Sequence, residues 1–388
     1  MNAADAKAEF SADWAAIAVV IFGATAFSIS QGLTYPLISL ILTARNVSPG
    51  VIGLSGACFA AGLAAATLAV GPLTSVLKGH RLIVAALIGA SVSLAILAGF
   101  DALWVWFAAR FILGFCASTI FMISEAWLNT ACPDRIRGRV SGLYGMGICA
   151  GFAAGPMAIP LFGTENGFAF SLLAVYIAFV AFATVIICRR AQTEPESTTS
   201  GMFLAFFLKA PLLVAMVAAF GFADIAAISG MPIYFTELGY SSSFAAVSIT
   251  VLALPTALSQ PLVGFFLDKF PRGVIALAAT FVTAICFLIL PMLSSEVAIL
   301  VDFAIVGAAS VGLYTAALTL LGERYSGGML VAGSAAFALA YAAGSAGGST
   351  AFGMTMQAFG PQSGPLMVGC VMLVFTAAFT VMYFRRRS

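Results

Sequence analysis

The sequence predicts an all-α integral membrane protein with twelve transmembrane helices in two six-helix bundles. Three observations carry that expectation. Hydrophobic residues make up 62% of the 388 and charged residues only 8%, with a mean hydropathy of +1.09, more apolar than a water-soluble domain needs. The apolar runs are long and lack period-2 alternation, so helices rather than a closed barrel satisfy the backbone in lipid. Lysines and arginines are concentrated in every second connection, as the orientation of a multi-spanning helical protein demands.

Residues 1–13 form a short tail of mixed charge. The run at 14–42 is too long for a signal peptide, and no small-residue cleavage site follows, so it reads as the first span. Further spans fall at about 50–77, 82–100, 103–129, 140–162 and 167–188, completing a first half over 1–188. The only segment of linker composition comes next, RRAQTEPESTTSG at 189–201, and a cytoplasmic linker is expected over 189–208. Six more spans, at about 211–236, 242–267, 274–293, 297–321, 329–359 and 365–384, fill a second half over 209–388.

With the amino terminus in the cytoplasm, Lys7, Lys78, Arg81, Arg135, Arg137, Arg139, Arg189, Arg190, Lys209, Lys269, Arg272, Arg324, Arg385, Arg386 and Arg387 all lie on the cytoplasmic side. Arg45 falls outside and Arg110 within a span. The opposite connections carry Asp101, Glu165, Glu237 and Glu296. A wrong span count would scramble this alternation, so both termini are expected inside. The halves also repeat. A shift of 193 residues superposes Gly71 on Gly264, Gly114 on Gly307, Gly151 on Gly344 and Gly155 on Gly348. Two like-oriented halves are the parallel repeat that places a substrate site between them and lets them rock about it.

Composition also excludes. No GxxxxGK[ST] phosphate loop is present, so ATP is not the direct energy source. The seven cysteines (Cys58, Cys116, Cys132, Cys149, Cys188, Cys286 and Cys370) show no CxxC spacing and read as small packing residues. No His/Cys/carboxylate cluster suggests a metal or a hydrolase, and no cofactor is expected. His80 sits in a basic turn, KGHR, and reads as a loop residue. The expected partners are a small-molecule substrate and the lipid bilayer, without nucleic acid, and a monomer is expected.

Four patches resemble the major facilitator superfamily. GFFLDKFPRG at 264–273 is similar to the family's loop motif. GPLTSVLKGHR at 71–81 keeps its glycine and basic end, with Ser75 where the motif has Asp. RFILG from Arg110 to Gly114 resembles the fourth-helix motif. GFAAGP from Gly151 to Pro156 resembles the fifth-helix motif of antiporters, with Ile159 and Pro160 in place of its trailing glycines. ISEAWLN at 123–129 is similar to a bacterial branch that includes riboflavin importers. The resemblance implies a multi-pass carrier of the bacterial inner membrane working by alternating access.

The fourth span, WVWFAARFILGFCASTIFMISEAWLN, runs from Trp104 to Asn129. Trp104 and Trp127 bracket it, roughly 35 Å apart at the α-helical rise, which suits two interfacial belts. Arg110 lies inside, where a guanidinium costs at least about 2.5 kcal/mol unless it faces a polar cavity or a partner. Arg110, Gly114, Ser118, Phe121 and Glu125 share a stripe about 80° wide at the α-helical turn, and Gly114 leaves room for the arginine or a ligand. Arg110 is either a cavity-lining cation or an anchor to backbone carbonyls between helices.

Asp224, midway along the seventh span, is the attractive counterpart of Arg110. It could move between two water-filled faces and carry the coupling proton, or form a fixed interhelical bond. Gln31 and Tyr35 with Ser28 mark a polar face on the first span, Gln260 with Thr256 and Ser259 one on the eighth, and Tyr314 with Ser310 one on the tenth. Each faces a neighbouring helix or a wet cavity. Phe27, Phe121, Phe220 and Tyr341 read as packing residues, and Asp302 as a solvated rim residue. Glu125 could latch a cytoplasmic gate through Arg81 or the Arg135, Arg137 and Arg139 cluster, as Asp268, Lys269 and Arg272 could in the second half. The alternative for these charges is an ordinary solvated face. A carrier of a small, mostly neutral and planar organic solute is the expected function, with proton coupling. Uptake of a vitamin such as riboflavin is the narrowest form, and export of drugs or metabolites the alternative. A channel would not need matched halves with gate motifs, whereas a receptor on the same fold would bind without flux.

Overall fold

The computed structural model describes residues 12–164, 167–194 and 203–385. Lys7, Arg386 and Arg387 of the charge pattern lie outside the described residues, as does Glu165, and the side chains of Arg135 and Arg385 are not described either. In chain order the long helices are α1 (Trp14–Ala44), α2 (Pro49–Val76), α3 (Gly79–Gly99), α4 (Leu103–Ala131), α5 (Asp134–Ala154) and α6 (Phe168–Cys188). The second half holds α7 (Pro211–Glu237), α8 (Ser242–Lys269), α9 (Arg272–Ile289), α10 (Glu296–Arg324), α11 (Gly327–Phe359) and α12 (Ser363–Arg385). Among the described residues, eleven are long and apolar enough to cross a membrane. The twelfth, α11, is the longest at 33 residues and carries no charge; it packs along α2 and α7. A seven-residue helix, Phe203–Lys209, lies where the linker meets the second bundle.

Local chemistry sets the ends. Asp13 caps α1 by accepting from the Ala16 amide, and Ser241 caps α8 through Phe244. Pro49 and Pro211 open α2 and α7, where a missing N–H leaves nothing unpaired. A 3-10 turn, Gly155–Ala158, ends α5 at Pro156. Within α7, residues Ala226–Gly230 form a π-helical segment. Pro232 follows, and its ring nitrogen offers no donor to the carbonyl of Ile228, which loosens the α-helical ladder at that point.

The two bundles are built alike. In the first, α1 packs on α5, α2 on α4, and α3 on both α4 and α6; in the second, α7 packs on α11, α8 on α10, and α9 on both α10 and α12. The glycine repeat explains the likeness at atomic level. A Cβ at Gly114 would fall on the Phe59 carbonyl of α2, and one at Gly307 on the Leu252 carbonyl of α8. Gly151 and Gly155 meet the Thr25 and Ile29 carbonyls of α1; Gly344 and Gly348 meet those of Ala218 and Phe222 on α7. Each of these partners is again displaced by 193 residues, so the repeat preserves helix-to-helix contact as well as sequence. Gly344→Leu therefore drives a side chain into the α7 backbone and should abolish the monodisperse protein peak on size exclusion; Gly264→Ala, where nothing lies nearby, should leave it unchanged.

Between bundles, the hydrogen bonds cluster on the face away from the termini. Ser39 Oγ of α1 donates to the Ser229 carbonyl at 2.8 Å, within the π segment. Ser349 Oγ of α11 donates to Gly53 O at 2.9 Å, and the Gly50 amide to Gln357 Oε1 at 3.2 Å. Thr250 Oγ1 of α8 donates to Ala153 O at 2.9 Å. Among the described residues, no hydrogen bond or ion pair joins the bundles in the half nearer the termini. There Met146 of α5 and Leu258 of α8 are exposed. Among the described residues the bundles are therefore tied by hydrogen bonds on one face and parted on the other in the sense that no such bond joins them there.

On the face that carries the termini, the start of the linker is strapped to the first bundle. Asp13 Oδ2 accepts from the Gln192 and Thr193 amides at 2.6 and 2.8 Å and from Thr193 Oγ1 at 3.0 Å. Trp127 Nε1 donates to Thr193 O at 3.0 Å, and Lys78 Nζ pairs with Glu194 at 2.7 Å. Trp127 is thus buried against the linker, which corrects its expected place in an interfacial belt; Trp104 is exposed. Burial pushes the Asp13 carboxyl up, but the backbone bonds from Ala16, Thr193 and Gln192 outweigh it and hold the group below the usual aspartate range. The hydrogen bond from Lys78 does the same for Glu194. A group held below its unfolded value stabilises the native strap above that value and ceases to do so as pH falls through the folded one. The strap should be intact at neutral pH and fail only in acid. Asp13→Ala should expose the Gln192 and Thr193 amides, read as faster hydrogen exchange at pH 7.

Candidate substrate and coupling site

Arg110 lies buried about two turns from the amino-terminal end of α4. Its Nε donates to the Ser55 carbonyl of α2 at 3.4 Å, and its guanidinium lies over the rings of Tyr35, at 5.4 Å, and Phe59, at 5.0 Å. Nη1 is buried with no hydrogen-bond partner among the described residues. The cation is thus wrapped by α1, α2 and α4, faces neither lipid nor open water, and carries unsatisfied hydrogen-bonding capacity. Gly114 leaves no room for a ligand, which corrects the reading of the stripe: the α2 backbone at Phe59 fills the space. Ser118 likewise turns to α2, 3.4 Å from Thr67 Oγ1.

Asp224 lies midway along α7, two residues before the π segment. Tyr341 of α11 donates its hydroxyl to Asp224 Oδ2 at 2.8 Å. This corrects the expectation that Tyr341 is a packing residue, and Asp224 does not pair with Arg110. Tyr35 lies against the Arg110 guanidinium and within electrostatic reach of Asp224. One row therefore runs across the bundle interface from Arg110 through Tyr35 to Asp224 and Tyr341. The phenol belongs to the first bundle and the carboxylate to the second, so relative movement of the bundles changes the distance between them.

Below this row, towards the parted face, Tyr314 of α10 stacks on Phe220 of α7 at 5.1 Å, and Phe220 touches Tyr341 at 5.9 Å. Gln260 of α8 accepts from Thr315 at 3.3 Å, tying α8 to α10. Gln31 is buried on α1. Phe27 meets Phe121 edge-on at 5.9 Å.

The charges proposed for a gate fall differently. Glu125 is exposed and forms no ion pair or hydrogen bond among the described residues; it lies within electrostatic reach of Tyr144 on α5 and Tyr314 on α10. Arg81 is not its partner here. That arginine lines a separate cleft of about 400 Å³ between α3 and α6, with His80, Val84, Ile88, Val185 and Arg189. Arg137 donates to the Asn129 and Cys132 carbonyls at the end of α4. Arg272 pairs with Glu323 at 2.5 Å rather than with Asp268, and Lys269 lies over Phe265 and Phe270. Asp302 is buried beside Cys286 of α9, not solvated at a rim as its position suggested. Arg45, the exception to the charge pattern, pairs with Asp101 at 2.7 Å and lies over Trp106. Gly71 and Pro156 are buried helix-packing residues. Sequence reasoning missed the π segment and the Tyr341 bond; Pro232 following Gly230 is the signal that could have found the first.

Comparison with known proteins places this architecture. The family model described as Major Facilitator Superfamily matches residues 20–349 and 212–388. The uncharacterized MFS-type transporter YfkF of Bacillus subtilis is 28% identical over 340 residues, covering 85% of this chain and 86% of its own. The MFS-type transporter YcaD of Escherichia fergusonii, also uncharacterized, is 25% identical over 366 residues, 92% of this chain and 94% of its own. Among solved structures, the nucleoside transporter NupG superposes with a TM-score of 0.78 at 14% identity, over 95% of this chain and 99% of its own. A bacterial homolog of the human lysosomal transporter Spinster, inward-facing and occupied, does so with 0.77 at 17%, over 95% and 96%. Twin bundles, a row of polar groups where they meet and a matching family model lead to one conclusion: the chain belongs to the major facilitator superfamily and is a secondary transporter.

Proposed function

We propose that the chain is a proton-coupled carrier of a small organic molecule, with both termini in the cytoplasm of a bacterial cell and Asp224 as the proton site. The observation that carries this reading is the bond between Asp224 and Tyr341 at the level where the bundles meet, beside Tyr35 of the opposite bundle. The distribution of Lys and Arg supports the orientation. With that orientation the parted face opens inward. The aromatic groups Phe220, Tyr314, Tyr341 and Phe121 favour a planar, mostly neutral cargo over a polyanion.

Two segments point to two directions of transport. The likeness of Ile123 to Asn129 to riboflavin importers favours vitamin uptake. Gly151 to Pro156 favours export of a drug or metabolite, and its glycines pack on α1 as an antiporter-like fifth helix would. Proteoliposomes under an imposed pH gradient test the carrier reading. Saturable accumulation that a protonophore collapses supports it; saturable binding with no flux makes the protein a sensor. Rescue of a vitamin auxotroph, set beside drug tolerance on deletion, separates import from export.

A further inference from the structure

We propose that Glu125, Tyr144, Phe220 and Tyr314 form a binding subsite for an organic cation, a protonated amine or quaternary ammonium on an aromatic body. The proposal rests on the carrier reading and deepens it by adding one positive charge to an otherwise neutral cargo.

Glu125 sits about four turns along α4 from Arg110, on the parted side of the molecule. It is exposed there, yet within electrostatic reach of Tyr144 on α5 and of Tyr314 on α10 in the opposite bundle. A side chain that feels groups on both bundles and remains accessible lines the space between them. Facing a lipid tail would give it no such neighbours.

Among the described residues this carboxylate has no cation partner. The titratable groups that face it are the two phenols, while Arg81 occupies the cleft between α3 and α6 and Arg137 turns to the carbonyls at the end of α4. A carboxylate in a partly desolvated cavity with no positive partner is best satisfied by a ligand that supplies one. Tyr144 gives a second, independent sign. The residue is 6% exposed and, among the described residues, its buried hydroxyl has no hydrogen-bond partner, a polar atom left for an occupant to satisfy.

The opposite wall supplies ring faces. Phe220 and Tyr314 stack with an interplanar angle of 27°, presenting a platform suited to an aromatic body or to the cation itself. Phe220 also touches Tyr341, the hydroxyl partner of Asp224. A cargo held between Glu125 and this platform therefore joins the two bundles and adjoins the proposed proton site.

The probe is tetraphenylphosphonium, whose charge does not titrate, with triphenylphosphine oxide as an uncharged aromatic competitor. Equilibrium dialysis of the purified full-length protein should show saturable phosphonium binding. Glu125→Gln should weaken it by about tenfold or more, and Glu125→Asp by less, because the charge is kept. Phe220→Ala should weaken it by about fivefold through loss of the ring face, which keeps the test decisive if Glu125→Gln aggregates. The proposal is overturned if wild-type protein does not bind the cation, if Glu125→Gln binds it as well as wild type, if Phe220→Ala does so, or if the neutral oxide competes as effectively as a second phosphonium. Counterflow in proteoliposomes separates the two readings. Phosphonium binding without any flux sinks the carrier reading and leaves the subsite; exchange of another solute without phosphonium binding does the reverse.

Discussion

Asp224→Asn should abolish gradient-driven accumulation in proteoliposomes while leaving substrate exchange within about twofold of wild type. Tyr341 donates to Asp224 Oδ2 at 2.8 Å, and an asparagine carbonyl can accept that bond in the same place, so the junction between α7 and α11 survives. What the amide cannot do is take up and release a proton. A carrier whose coupling ion binds at this position then equilibrates its cargo without concentrating it, and the accumulation ratio falls to one. Tyr341→Phe is the complementary variant: it removes the donor, keeps the titrating group, and should alter the pH dependence of accumulation without eliminating it. Unchanged accumulation in Asp224→Asn would remove this residue from the coupling role.

The fold was legible because lipid enforces it. Span lengths, the alternation of Lys and Arg, and the 193-residue repeat are each consequences of a solvent that punishes exposed backbone and misplaced charge, and they converge on twelve helices. The repeat even anticipated contacts: Gly114 and Gly307 each meet a carbonyl of the preceding even-numbered helix. Side-chain partners were far less legible. Arg110 was found by its cost in hydrocarbon, but the stripe it shares with Gly114 and Ser118 suggested open space, whereas α2 fills it. A helical face has a direction in sequence, and the neighbour it meets is a tertiary fact. Tyr341 looked like packing because an aromatic ring buried in a bundle gives no sign of where its hydroxyl reaches, and Asp302 looked solvated because its depth was judged from the helix end alone. Closeness in sequence groups Arg272 with Asp268 and Lys269 as a candidate gate, while the fold pairs it with Glu323 from the end of α10.

The second large effect concerns Arg110 itself. Arg110→Gln and Arg110→Met should lower transport by about 100-fold or more while leaving the melting temperature in detergent unchanged or slightly raised. If the guanidinium were a structural anchor, its bonds would have to repay its desolvation. They do not: its hydrogen bond to Ser55 O is 3.4 Å long, Nη1 has no partner among the described residues, and the ring contacts with Tyr35 and Phe59 contribute about 0.5–2 kcal/mol each. Replacing a buried charge of this kind by a neutral side chain of similar length is commonly neutral or stabilising. Arg110→Lys should fail in transport as well, since a compact ammonium cannot lie flat against two rings as a guanidinium does. Differential scanning fluorimetry, set beside uptake normalised to folded protein, reads both quantities. A drop of about 10 °C or more, several kcal/mol at the usual few degrees per kcal/mol, with transport per folded molecule preserved, would make Arg110 an anchor. Stability kept and transport lost would make the buried cation a moving part, one that needs its unfilled hydrogen bond in the other arrangement of the bundles.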